Sequence, residues 1–288
     1  MPHATPDDIF PPMTMLTRRA AIAISGNQPL LYLDTTLRRG RRGDLVRLVQ
    51  EWLCLNLCDV MIDGQFGYAT EQAVKDFQGS TGVLPVTGEV DPETFAMLIR
   101  PMTEAMRPIM PPPTATVGQM VAAYALQHLR QRAREVGGQN RGPWVRLYLH
   151  GDQRPNDPKL PPSFDAWCAG FASTMISQAA ATLGLPLPIE YHSNCNRLGE
   201  EAKEKKRFIA GEKAAKNPAL VKTGSLLLFR RGGKKDRWHH TGVVTQALPK
   251  FVRTLEGNSA YSTDDNPSGH EVCRQMRSYG NLDFVALD

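Results

Sequence analysis

The sequence predicts an α+β chain built from a small helical unit and a larger unit that closes in an antiparallel sheet. Three observations predict it. Apolar residues recur at helical spacing between Gly43 and Ile99, a proline-dense break follows, and strand-like runs take over after Thr223.

In the first unit Leu45, Leu48, Val49, Trp52 and Leu53 share a helical face, as do Ala73, Val74 and Phe77, then Phe95, Leu98 and Ile99. Asp91 is suited to cap the last of these helices, with Pro92 in its first turn. Gly64 to Thr70 aligns with Gly88 to Thr94. Each copy is a glycine turn, an apolar residue and a helix opening near a threonine. The segment from Arg100 to Gly118 carries Pro101, Pro108, Pro111, Pro112 and Pro113 and reads as a semi-rigid linker. Beyond it a helix is expected over Gln119 to Arg134, a glycine loop over Gly137 to Gly142, and a helix after Trp167. Strands are expected over Ser225 to Phe229, Thr241 to Thr245, Phe251 to Leu255 and Phe284 to Leu287. The lysine-rich stretch from Glu200 to Lys216 reads as a solvated face. The expected organisation is an N-terminal extension (1–38), a helical domain (39–100), a linker (101–117) and an α+β domain (118–288).

The 288 residues suffice for two domains, and a formal charge of +5 favours anionic polymers without choosing among them. The cysteines at 54, 58, 168, 195 and 273 form neither an even framework nor a CxxC pair, so no disulfide scaffold, structural zinc or other cofactor is expected. Arg18 and Arg19 precede an apolar stretch, Ala20 to Ile24, too short for a conventional signal core or a membrane span. The expectation is synthesis in the cytoplasm, without membrane insertion.

Asp63-Gly64-Gln65-Phe66-Gly67, with Thr70, Ala73-Val74 and Phe77-Gln78, resembles the three-helix peptidoglycan-binding domain family over about sixty residues. That resemblance implies peptidoglycan as a partner. The exposed loop around Asp63, Gln65 and Tyr68 is the expected contact, while Val74 and Phe77 read as core.

The segment Asp165 to Ser173 places Cys168 in the first turn of a helix, where the dipole favours thiolate. A lone cysteine would by default be a small buried hydrophobe, and Cys54, Cys58, Cys195 and Cys273 keep that default. Trp238 to Val244 supplies an imidazole. His240 opens an apolar strand and alternates with Gly242, which leaves room beside the ring, while His239 points the other way. Thr254, Glu256 and Asn258 alternate onto one face of the next strand, and Glu256 or Asn258 could orient the imidazole.

Trp167-Cys168-Ala169 with Phe171, His240-Thr241-Gly242-Val243-Val244 and Thr254-Leu255-Glu256-Gly257-Asn258 together resemble the CHAP group of the NlpC/P60 papain-like hydrolases, from about Val117 onward. Gly138 to Gly142 resembles that group's opening segment. The resemblance implies Cys168 as nucleophile, His240 as general base and acid, Glu256 with Asn258 as orienting pair, and Trp167 at the substrate. The chain departs from the pattern with Gly224-Ser225 for the usual Gly-Asp and with a basic hairpin at Arg230 to Arg237. The Cys168 backbone N–H is placed to serve an oxyanion.

The expected activity is hydrolysis of an amide in peptidoglycan, as an N-acetylmuramoyl-L-alanine amidase or an endopeptidase, acting in the periplasm or wall of a target cell. Delivery would be by phage lysis or a contractile secretion system, with a cognate immunity protein as a further partner. Alternatives are a papain-like acyltransferase and a non-catalytic wall-binding protein. Metal binding through His192, Cys195, His239 and His240 lacks ligand spacing, and nucleic-acid binding rests only on charge.

Overall fold

The computed structural model describes residues 32–149, 166–233, 236–260 and 269–288. Arg18 to Ile24, Asp165 and part of the basic hairpin lie outside the described residues.

The helical unit contains α1 (Asp44–Leu55), α2 (Tyr68–Thr81) and α3 (Pro92–Leu98). Val46, Val49, Trp52 and Leu53 of α1 pack against Val74 and Phe77 of α2 and Phe95 and Leu98 of α3. The Asp91 carboxylate accepts from Thr94 N at 2.8 Å, with Pro92 in the first turn. Both glycine turns are left-handed, at φ 74° for Gly64 and 75° for Gly88. Each is clamped by a buried glutamine. The Gln50 amide nitrogen donates to Asp63, to the Gln65 carbonyl and to Thr70, and its oxygen accepts from Asp63 N and Gly64 N. Gln78 does the same at Thr87, Glu89, Thr94, Thr87 N and Gly88 N. The repeat therefore reaches back to a glutamine on the preceding helix. Five polar contacts share each amide's two N–H donors and two acceptor lone pairs, which is what makes its burial tolerable.

Two expectations at the edges of this unit are corrected. Leu33 and Leu37, placed in the N-terminal extension, join its core, and Leu37 bridges Val90. Arg100–Met106, placed at the start of the linker, is a helix, α4, because Pro101 sits in its first turn, where a missing N–H costs nothing. The chain after α4 lies on α5 (Val117–Arg130). Gln127 donates to the Ala105 and Arg107 carbonyls, and Ile109 N donates to the Tyr124 hydroxyl.

The larger unit continues with α6 (Pro143–Tyr148), α7 (Cys168–Leu183), α8 (Cys195–Glu204) and α9 (Gly211–Lys216). Its strands are β1 (Phe208–Ile209), β2 (Leu226–Arg230), β3 (Trp238–Ala247), β4 (Phe251–Ser259), β5 (Glu271–Ser278) and β6 (Leu282–Val285). They form one antiparallel sheet in the order β1-β6-β2-β3-β4-β5. The architecture is thus a helical domain beside mixed helices and antiparallel sheet. Leu226, Leu228, Val243 and Leu255 pack in the same core as α7, and Leu227, Val244, Val252 and Phe284 pack with Ala214 of α9. From Cys168 to Ile176 every residue of α7 is buried, rather than one face alone, because other elements enclose it on all sides. Gly170 is required there. A Cβ would stand 2.2 Å from the Tyr148 carbonyl oxygen.

The two units share one core. Trp52 of α1 meets Trp144 of α6 edge to face at 6.1 Å, Trp144 stacks on Tyr148 at 6.2 Å, and Tyr148 stacks on Trp167 at 5.2 Å. Beside this ladder Arg146 donates through both guanidinium ends to the Glu51 carboxylate, at 3.2 and 2.5 Å, with both side chains under a tenth exposed. Glu51→Ala strands the guanidinium in an apolar seam. We expect a loss of about 3–5 kcal/mol of stability, read as a lower urea midpoint.

Candidate active site

Cys168 is the first residue of α7 and is 2% exposed. Trp167 caps the helix without a side-chain hydrogen bond, so its side chain satisfies none of the first-turn N–H groups. The expectation that Trp167 touches substrate is corrected. Its indole is fully buried, stacked on Tyr148 and donating to Glu135 Oε1 at 2.8 Å. It positions the residue before the thiol.

β3 is fixed at its start. Trp238 N donates to Asn196 Oδ1 at 2.7 Å and its indole donates to Asp283 Oδ2 at 3.0 Å. Arg230 pairs with the same carboxylate. Two residues on, His240 Nε2 bonds Glu256 Oε2 at 2.8 Å, which leaves Nδ1 for the thiol. Pairing of β3 with β4 begins at Val243, and ahead of it the Thr241 N–H turns to the Cys168 sulfur. His239 is exposed and its ring packs on Phe229 at 5.3 Å.

Glu256 is wholly buried and fully engaged. Besides His240 it accepts from Thr254 Oγ1 at 2.7 Å and from Arg277 twice, at 3.0 and 2.7 Å. Gly242 serves this carboxylate more than the imidazole, since a Cβ there would lie 2.5 Å from Glu256 Cγ. Asn258 does not join the set. The β4–β5 register slips between Glu256 and Ser259, Asn258 takes φ 53°, and its buried amide oxygen has no hydrogen-bond partner. The bulge rotates it off the face it would share with Glu256 in a regular strand.

Arg277 and Cys195 also join this cluster, without a signal in the sequence. Arg277 lies on β5, whose polar character hid the strand. Cys195 opens α8, and its sulfur lies 3.7 Å from that of Cys168. No local signal marks that approach, since the two residues stand on different helices.

These contacts set the charges. A hydrogen bond from Cys195 lowers the Cys168 thiol well below the ordinary range against the pull of burial, helped by the His240 charge and the Thr241 N–H. Cys195 is held well above that range by the same contact and by burial. Burial opposes charge on His240, yet Cys168 and Glu256 raise it to about 10. Burial likewise opposes charge on Glu256, and His240 with Arg277 bring it to about 2. Both directions favour thiolate and imidazolium in this pair. Because the folded His240 value is raised, its contribution is present at neutral pH and lost as pH rises through about 10. Because that of Glu256 is depressed, its contribution is lost as pH falls toward about 2.

In the helical unit, Asp63 is exposed but tied to Gln50 and to Gln65 N at 2.8 Å. Gln65 is exposed, and Tyr68, 77% exposed, carries the Arg39 guanidinium 4.3 Å over its ring. The loop thus offers Tyr68, Arg39 and Gln65 to a ligand, with Asp63 shaping it. Of the remaining metal candidates, His192 is bonded to Glu201 at 2.5 Å.

Two outcomes are expected. The rate of Cys168 alkylation by iodoacetamide should be flat through neutral pH, whereas an ordinary thiol would rise around pH 8.5. Gly242→Ala should push Glu256 aside, lowering stability by about 1–3 kcal/mol and moving the alkylation profile toward that of an ordinary thiol.

Residues 42–98 match the family described as "Putative peptidoglycan binding domain", the region of the two clamped turns. No curated protein and no solved structure matches the chain. The chain carries a domain of the peptidoglycan-binding type, which associates it with the bacterial cell wall.

Proposed function

We propose that the chain is a cysteine amide hydrolase of peptidoglycan, with a larger unit of the papain-like CHAP kind. The observation that carries this reading is the Cys168–His240–Glu256 line, buried at both ends, in which the imidazole holds Glu256 at 2.8 Å and faces a thiolate at a helix start. The binding domain at residues 42–98 supports the choice of polymer.

In this reading the Cys168 thiolate attacks the amide carbonyl carbon, and the first-turn N–H groups of α7 receive the oxyanion. His240, already protonated, gives its proton to the leaving amine. It then takes one from the water that attacks the acyl-enzyme, and the thiolate returns. Glu256 stays ionised throughout, fixed by Arg277 and Thr254. The bond cut is the N-acetylmuramoyl–L-alanine amide or a peptide bond of the stem or cross-bridge. The proposed setting is the wall of a target cell, reached by phage lysis or a contractile secretion system, with an immunity protein guarding the producer.

The test is digestion of purified sacculi by the full chain and by Cys168→Ala, with mass spectrometry of the soluble fragments. Wild type should release fragments with new amino termini that identify the bond, and the variant should release none while still co-sedimenting with sacculi. Equal release by both proteins, or none by either, sinks the hydrolase reading. A transferred acyl group in place of free termini would show an acyltransferase.

A further inference from the structure

Cys195 lowers the Cys168 thiol through their contact, but it carries no step of the proposed hydrolysis. Each cysteine opens its own helix, α7 or α8, and the sulfurs stand 3.7 Å apart, with Cys168 2% and Cys195 7% exposed. The approach is built. Asn194 caps α8 by accepting from Asn196 N and Arg197 N, Asn196 holds the Trp238 backbone, and Gly199 presses on the Trp238 ring, where a Cβ would stand 2.3 Å away. The strand start that aims His240 therefore also seats Cys195. A disulfide needs the sulfurs at about 2.05 Å, so the thiols must close by less than the width of an atom.

We infer that Cys168 and Cys195 form an oxidative modification site, in which a hydroperoxide converts the nucleophile reversibly to a Cys168–Cys195 disulfide. The Cys168 thiolate attacks one peroxide oxygen. The S–O bond forms, the O–O bond breaks, and the leaving alkoxide or hydroxide takes the His240 proton. Cys195 then attacks the sulfenic sulfur, the S–S bond forms, and the S–O oxygen departs as water with the Cys195 proton. In total two thiols lose two electrons to one peroxide, which becomes an alcohol, or water in the case of hydrogen peroxide, plus one further water. Without Cys195 the sulfenic acid is open to further, irreversible oxidation. That this closes a hydrolase rests on the function proposed above, whereas the thiol chemistry does not.

The test treats the full chain with hydrogen peroxide, blocks remaining thiols and maps peptides by mass spectrometry, in wild type, Cys195→Ser and Cys195→Ala. Wild type should yield a linked pair of peptides carrying Cys168 and Cys195, lighter by two hydrogens and separated by dithiothreitol. Both variants should instead carry sulfenic acid on Cys168, trapped by dimedone, and then sulfinic acid. Sulfinic acid on wild-type Cys168 at the variants' rate, with no linked peptide, overturns the inference. On sacculi, oxidised wild type should lose fragment release and regain it with dithiothreitol. Release that continues with the disulfide formed overturns the switch. Failure of reduced wild type to release fragments would strike the hydrolase reading alone, because the peptide map decides the thiol pair without it.

Discussion

The larger unit is organised around the burial of one carboxylate. Removing Glu256 from water carries a penalty of several kcal/mol, about that of any desolvated ion, and its neighbourhood is arranged to offset it. Arg277 supplies two charged donors, His240 a third and Thr254 a neutral one. Each requirement reaches into a different element. Arg277 ties β5 to the site, Gly242 must lack a side chain so that the carboxylate can lie against β3, and the slip after Glu256 frees β4 from a regular register. The imidazolium that results joins the Cys195 hydrogen bond in holding the neighbouring thiol well below its ordinary range.

Much of this was legible in the sequence, and the limits have physical causes. The glycine turns of the helical unit were readable because left-handed backbone leaves a mark in residue type. The glutamines that clamp them were not, since a buried Gln50 or Gln78 looks like a surface one until its five partners are seen. That Cys168, His240 and Glu256 lie together could be anticipated because each sits at a readable place on a helix or strand. Asn258 was misplaced because strict alternation fails at a bulge. The strand Glu271–Ser278 escaped notice because an edge strand carrying Arg274, Gln275 and Arg277 lacks the apolar alternation that marks its neighbours.

Proline content also misled in an instructive way. Pro101 reads in the sequence as part of a semi-rigid linker, yet a proline in a first turn favours the helix it opens. The segment after it is held by side chains of α5, whose donors and acceptors take up its backbone groups. What composition describes as a spacer is therefore part of the packed body.

The aromatic ladder from Trp52 to Trp167 gives that packing a mechanical meaning. A flexible linker lets a bound enzyme sweep a sphere of substrate around its anchor. Four rings in series, braced by Glu51 and Arg146, leave no such sweep. The loop at Tyr68 and the sulfur of Cys168 therefore stand at one separation and one orientation, like the jaws of a set caliper, with their span fixed in the molecule's own frame.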